Sequence, residues 1–338
     1  MSLPRSCALH ALRTQSTGTR GDRCATAAGL ALGAAADLLF ADPRHRHPVA
    51  GFGQAAAALE RWTWRDSRAA GAGYVAVCVG TATALGTAAH RLTTGSPVAR
   101  TAVTALATWA VLGGTSLARA ATTMADHLAA GDLPAARTHL SSLAGRDPRD
   151  LGEPELVRAT VESVAENTSD AVVAPLFWGA VAGLPGLLSY RAANTLDAMV
   201  GYRSARYERF GWAAARLDDV LNWAPARLTA LLTVATAPLA GGSPAGAWRA
   251  WRRDGAAHPS PNAGRCEAAL AGALGLRLGG RNVYGTRVEE RPHLGDGQPP
   301  VRGDIGRATR LSRAVWTTAA AAAVLHRLGR RGPAARRG

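Results

Sequence analysis

The sequence predicts a mainly α-helical, polytopic integral membrane protein with about four to five apolar helices and polar helical or loop segments between them. Three observations predict it. Hydrophobic residues make up 47% of the 338 and gather in uncharged blocks instead of spreading evenly. Arginines border those blocks, as residues at a membrane–water boundary do. Strand-type alternation is weak throughout, and no internal repeat is present.

Residues 1–24 are polar, basic and weakly patterned, and read as a disordered extension. Residues 25–41 are apolar except for Asp37, a run slightly short of the ~20 residues that a spanning helix needs. Asp37 and the Asp42-Pro43 step argue against a cleaved signal peptide. Residues 69–90 and 101–118 carry no charge and are separated by a short basic turn, so they read as a membrane hairpin. Their small residues favour close helix contact. Residues 119–170 read as helical and polar, with turns at Gly131-Asp132-Leu133-Pro134 and Gly145-Arg146-Asp147-Pro148.

Residues 171–190 are uncharged but hold Pro175, Gly179, Gly183, Pro185 and Gly186, so a straight span is not expected there. Residues 191–227 have helical spacing and are rich in Arg, Asp and Asn. Residues 228–248 form another uncharged block, broken by Pro238, Gly241, Gly242 and Pro244, and 249–312 a polar region with one helix near 264–276. Ala314–Leu325 reads as a short apolar helix, and 327–338 as a basic flexible tail suited to anionic lipid. Residues 25–326 are thus one membrane-embedded domain.

The net charge is +15, yet the chain has no lysine, so all its fixed positive charge is arginine. Schiff-base chemistry on a lysine and a P-loop are both excluded. Nucleic acid is not an expected partner, because the arginines flank apolar blocks and no nucleic-acid module is visible. Cys7, Cys24, Cys78 and Cys266 form no C-x-x-C pair and read as free thiols.

Three polar clusters sit beside membrane-grade sequence. Glu162, Glu166 and Asp170 recur every four residues on one helix face, with Asn167 adjacent. Asn194 and Asp197 share a face. Asp218 and Asp219 stand four and three residues before Asn222, between Arg216 and Arg227. Hard cations take oxygen ligands, and Mg²⁺ commonly uses one or two carboxylates plus substrate phosphate. Arginines 191, 203, 206, 216 and 227 could clamp carboxylate or phosphate oxygens. The structural alternative for any one cluster is a solvated helix laced with ion pairs. Three clusters within one short region favour a Mg²⁺–anion site. The Ser260-Pro261-Asn262-Ala263-Gly264 stretch suits a turn and helix cap, or an anion site at a helix N-terminus.

These strings, in order, resemble the adenosylcobinamide-phosphate synthase family of cobalamin biosynthesis, the CobD/CbiB type. The resemblance runs from about residue 27 to 325. It includes Asp42-Pro43 with His47-Pro48-Val49, Gly145-Arg146-Asp147, Glu162 through Asp170, Asn194-Thr195-Leu196-Asp197, Arg216 through Arg227, Ser260 through Gly264, and Leu278-Gly279-Gly280 with Tyr284-Gly285. It departs at Arg265-Cys266, where the family tends to carry Trp-Pro. The resemblance implies a multi-pass cell-membrane enzyme that joins a propionate carboxylate of adenosylcobyric acid to aminopropanol or its O-phosphate. Mg²⁺ and ATP are the expected helpers, and membrane lipid and other cobalamin-pathway enzymes the expected surroundings. The expected metal residues are Glu166, Asp170 and Asp197. Glu166, Asp170, Asp218 and Asp219 are the expected catalytic group. Asn167, Asn194, Arg216, Asn222, Arg227, Ser260 and Asn262 are expected to hold substrate. A Mg²⁺-dependent membrane prenyl or phospho-alcohol transferase and a broken-helix transporter are the competing readings.

One constraint follows from the topology. If 171–190 and 228–248 each cross the bilayer once, Glu166 and Asp170 lie on the opposite face from Asn194 and Asp218. A shared site requires the first of these segments to bend.

Overall fold

The computed structural model describes residues 5–41, 47–143, 148–202, 204–284 and 287–329. Asp42-Pro43, Gly145-Arg146-Asp147, Arg203, Gly285 and most of the basic tail lie outside the described residues. The chain is a mainly α polytopic membrane protein. Among the described residues four helical stretches are long and apolar enough to cross a membrane: Arg20–Phe40, Arg68–Leu92, Pro97–Ala129 and Glu153–Val200.

Helix α1 (Arg5–Phe40) reaches back into the segment expected to be an extension, and Asp22 there stands 3.9 Å from the buried Arg100. After α2 (Pro48–Thr63), α3 (Arg68–Leu92) and α4 (Pro97–Val111) form the expected hairpin. Arg100 is buried at its turn, donating to the carbonyl of His90 at 2.6 Å and to Thr93 Oγ1 at 2.7 Å. Helices α1 and α4 run parallel: the Thr101 hydroxyl donates to Ala25 O, and Trp109 Nε1 to Ala41 O. Gly29 and Gly33, four apart on α1, make this contact. A Cβ on Gly29 would lie 2.5 Å from that of Thr104. Close packing of this kind holds helices together where no hydrophobic driving force exists between them.

Asp37, the one charge in that apolar run, is fully buried. It accepts from the backbone N–H of Thr115 at 3.2 Å, in the first turn of α5 (Gly114–Ala129). An anion at a helix N-terminus satisfies an orphan donor and meets the positive end of the helix dipole.

Helices α6 (Leu133–Leu140) and α7 (Glu153–Thr168) follow, then a π-turn at Ser169–Val173 and α8 (Ala174–Val200). Within α8, Gly183 adopts φ 68°, ψ −150°, a conformation open to glycine and strained for any other residue. The chain folds back there. Tyr190 OH reaches the carbonyl of Asp170 at 3.1 Å, whereas twenty residues of straight helix would span about 30 Å. Arg327 donates to Gly179 O at 3.1 Å beside the break, so a carbonyl freed by the turn has a partner. The returning half of α8 packs on α3, with Thr83 Oγ1 and Ser189 Oγ 2.7 Å apart.

The block 228–248 is broken at the prolines and glycines it carries. Helix α9 (Trp212–Thr236) ends in a 3₁₀ turn, Gly241 is left-handed, and α10 (Pro244–Asp254) starts anew. Helix α11 (Ala263–Leu274) leads into an antiparallel hairpin of β1 (Leu278–Tyr284) and β2 (Arg287–Leu294), which the sequence reading does not anticipate. Gly279 and Gly280, both at positive φ, make the irregularity near its start. The expected helix Ala314–Leu325 is the centre of a longer α12 (Arg302–Gly329). The first half of α12 packs with α5, α7 and α11 around Met124, Leu156, Leu274 and Leu311 at one end of the membrane bundle.

Candidate active site

Because α8 reverses at Gly183, the residues before and after it return to the same end of the bundle. The centre is Asp218 on α9. Its Oδ1 accepts from Asn194 Nδ2 at 3.2 Å and its Oδ2 from Asn222 Nδ2 at 2.9 Å. Asn194 stands on the returning half of α8, and Asn222 one turn further along α9. Asn222 is buried, and its Oδ1 takes the Tyr190 hydroxyl at 2.9 Å. The same hydroxyl reaches Asp170 O, so Tyr190 ties the π-turn to α9. Asp170 feels the charges of Asp218, Glu166, Asp197 and Arg191. Arg191 also donates to Asn194 Oδ1 at 3.4 Å. A π-turn re-aims the side chains it carries, and such turns gather at functional sites.

Burial is the main force on Asp218. It is opposed by the two carboxamide donors and reinforced by Asp219 and Glu166, and the carboxyl is pushed up to about 6. A carboxylate so placed can exchange a proton near neutral pH. Burial also raises Asp219, against the pull of Arg216.

A second chain of contacts leaves from Asp219. Its carbonyl accepts from Asn262 Nδ2 at 2.8 Å, and Asn262 Oδ1 accepts from Arg227 at 3.3 Å. Arg227 is further fixed by the carbonyl of Trp223 at 2.7 Å and lies over that indole ring, 4.3 Å from its centre. The loop carrying Asn262 is held by Ser260, whose hydroxyl accepts from the backbone of Asn262 and Ala263, and by His258, whose Nδ1 accepts from Ser260 N–H at 3.0 Å. Burial and the nearby Arg291 push His258 down to about 4, so its ring is neutral at ordinary pH.

The structure therefore brings together Asp170, Asn194, Asp197, Asp218 and Asn222, with Asp219, Asn262 and Arg227 alongside. Glu166 lies exposed at the edge, within electrostatic reach of Asp218. Four expected or adjacent residues stand elsewhere. Asn167 donates to Ser163 one turn back on its own helix. Arg216 is at the surface, 3.5 Å from Asp219. Ser260 serves as a cap. Glu162 turns away from the cluster and accepts from Gly279 N–H at 2.8 Å, which anchors the β-hairpin. Tyr190 carries no periodic signal that could have found it. Only its place at the end of an apolar block, next to Arg191, marks it.

Among the described residues no three His, Cys, Asp or Glu side chains close on one point tightly enough to form a metal cage. Converging carboxylates with one adjacent guanidinium nevertheless form an oxygen-rich, negative donor set. That set fits Mg²⁺, which takes one or two carboxylates and completes its shell with water and substrate oxygens.

The sequence model of the family described as CobD/Cbib protein matches residues 30–312. The chain is 57% identical over 300 residues to the cobalamin biosynthesis protein CobD of Mycobacterium tuberculosis (strain ATCC 25618 / H37Rv), covering 88% of this chain and 95% of that one. It is 48% identical to the protein of that name from Geobacter metallireducens, over 81% of this chain and 87% of the relative. For the Chromobacterium violaceum protein, also so named, the identity is 45%, over 86% and 94%. No solved structure matches the chain.

Proposed function

The chain belongs to the CobD/Cbib protein family of cobalamin biosynthesis, and from that premise we propose that it forms an amide between a propionate carboxylate of adenosylcobyric acid and aminopropanol or aminopropanol O-phosphate. The observation that carries this reading is the convergence of Asp170, Tyr190, Asn194, Asp218 and Asn222 from three segments on one hydrogen-bonded centre. The enzyme works in the cell membrane, with the centre at one end of its helical bundle.

Carboxylate and ammonium do not condense in water, so the carboxylate must first carry a leaving group, for which ATP is the expected source. Glu166, Asp170 and Asp197 would hold Mg²⁺, which when bound neutralises phosphate charge. The residues then divide the work. Asp218, poised near 6, takes a proton from the ammonium; the neutral nitrogen attacks the activated carbonyl, the C–N bond forms and the C–O bond to the leaving group breaks. Asn194 and Asn222 keep Asp218 aimed and ionised. Arg227 meets an anionic substrate group, with Asn262 fixing its fork. Arg216 is more exposed and already paired with Asp219, so it supports this role less well.

Incubating membranes with adenosylcobyric acid, aminopropanol or its phosphate, ATP and Mg²⁺, and weighing the corrinoid, tests the reading. A product heavier by the amine minus water supports it. A diphosphate-consuming transferase would need no ATP, and a transporter would leave the corrinoid's mass unchanged.

A further inference from the structure

The site has a cationic face that the proton-transfer centre does not use. Arg227 on α9 and Arg265 in the first turn of α11 are brought side by side by the backbones that carry them. Cys266 Sγ lies 3.7 Å from Ala226 O, which juxtaposes the residues next to each arginine. Asn262 links the two, accepting from Arg227 through its side chain and from the Arg265 backbone N–H through its carbonyl at 2.9 Å. Neither guanidinium meets a carboxylate among the described residues. Arg227 has only the Trp223 carbonyl and the Asn262 carboxamide. The Arg265 guanidinium makes no hydrogen bond or ion pair there, and its Nε is buried without an acceptor.

Two half-buried like charges within electrostatic reach repel, and a buried N–H without an acceptor is destabilising. The repulsion registers on Arg227, which is lowered first by burial and then by Arg265. Two other half-buried arginines find acids: Arg307 meets Asp304 at 2.7 Å and Arg291 meets Glu289 at 3.4 Å. The Arg227–Arg265 pair meets none among the described residues, and it lies one carboxamide from Asp219 and the reaction centre. Two planar forks match the oxygens of a doubly charged tetrahedral anion.

We infer that Arg265, together with Arg227, forms a binding site for a terminal phosphate group, with Arg265 the residue that selects phosphorylated over unphosphorylated ligand. A terminal phosphate carries about −1.5 to −2 charge near neutral pH and so meets both cations, which a neutral alcohol cannot do. The assignment rests on the amide-forming reading only for which molecule brings the phosphate, the amine donor or the nucleotide.

Binding to the full-length protein in detergent tests it, with aminopropanol O-phosphate, aminopropanol, ATP, inorganic phosphate and phosphatidylglycerol vesicles as probes. Arg265→Gln weakens either aminopropanol O-phosphate or ATP at least tenfold, about 1.4 kcal/mol. Arg265→Lys recovers part of that loss. Free aminopropanol binds the Gln variant as it binds wild type. Arg252→Gln, which removes an exposed charge on α10, changes nothing and controls for net charge. A loss on aminopropanol O-phosphate places the amine donor at the site; a loss on ATP places the nucleotide there. The inference is overturned if a Gln variant with wild-type melting binds every phosphate probe as wild type does. It is equally overturned if only vesicle binding weakens, or if wild type binds neither aminopropanol O-phosphate nor ATP. Arg265-dependent phosphate binding without any corrinoid product would instead overturn the amide-forming reading and leave this site standing.

Discussion

Asp218 receives two carboxamide donors from two helices, and its environment sets the proton chemistry of the centre. Asp218→Asn keeps the shape and removes the base, so turnover falls by about 10²–10⁴-fold, the usual share of general base catalysis. The pH profile carries a sign. Asp218 is raised to about 6, its active form is the carboxylate, and the rate is therefore full above 6 and falls tenfold per pH unit below it. Asn194→Ala removes a donor that favours the ionised form, so the acid limb moves to higher pH; an unmoved limb would clear Asp218 of the role. Tyr190→Phe deletes the hydroxyl shared by Asp170 O and Asn222, and leaves Asn222 Oδ1 without that donor. The expected cost is about 1–3 kcal/mol in thermal stability. Most of these residues were legible in the sequence because carboxylates and carboxamides at three- and four-residue spacing stand out beside apolar blocks. Tyr190 and the Arg265 contribution were not. A hydroxyl's partner depends on which segments pack together, and spacing along one helix does not contain that.

Gly183 is the element on which the site depends. A side chain there would be strained by the backbone angles and would meet Arg327 Nη2 at 2.9 Å. Gly183→Ala should cost about 1–3 kcal/mol and lower turnover more than an Ala substitution at the exposed Val181, as thermal melts and assays on the same preparation would show. The prolines and glycines of 171–190 announce a break, because each weakens or ends a helix. They do not announce the π-turn that begins at Ser169, which is a matter of register. The same reasoning holds at 228–248, where Pro238, Gly241, Gly242 and Pro244 interrupt the run. Hydropathy sees an uncharged run there, while Gly241 and Pro244 divide it between two helices that pack on α11. The β-hairpin was invisible, because its start is set by two glycines and by Glu162 reaching Gly279, a contact 117 residues apart in the chain.

For the whole molecule, the reversal at Gly183 gives the two arms of the site one face of the membrane. The α3–α4 turn lies at the other end of the bundle: α4 leads from that turn to Gly113, whose N–H bonds Ala171 O next to the site. In a chain freed of its native cysteines, Glu166→Cys and Ala198→Cys should label from one side and Thr94→Cys from the other. Labelling of 166 and 198 from opposite sides would remove the shared centre. The apolar hairpin and the arginine borders made the membrane architecture readable from sequence. The orientation was not, because arginine stands on both sides of most spans. The most direct test of the central claim joins chemistry to residues. Membranes bearing wild-type protein, Asp170→Ala or Asp197→Ala are given adenosylcobyric acid, aminopropanol O-phosphate, ATP and Mg²⁺, and the corrinoid is weighed. The amide product should form with wild type and be lost in both variants, with all three proteins present in the membrane at equal amounts. Product from both variants at near wild-type rate, or none from wild type, would contradict the claim.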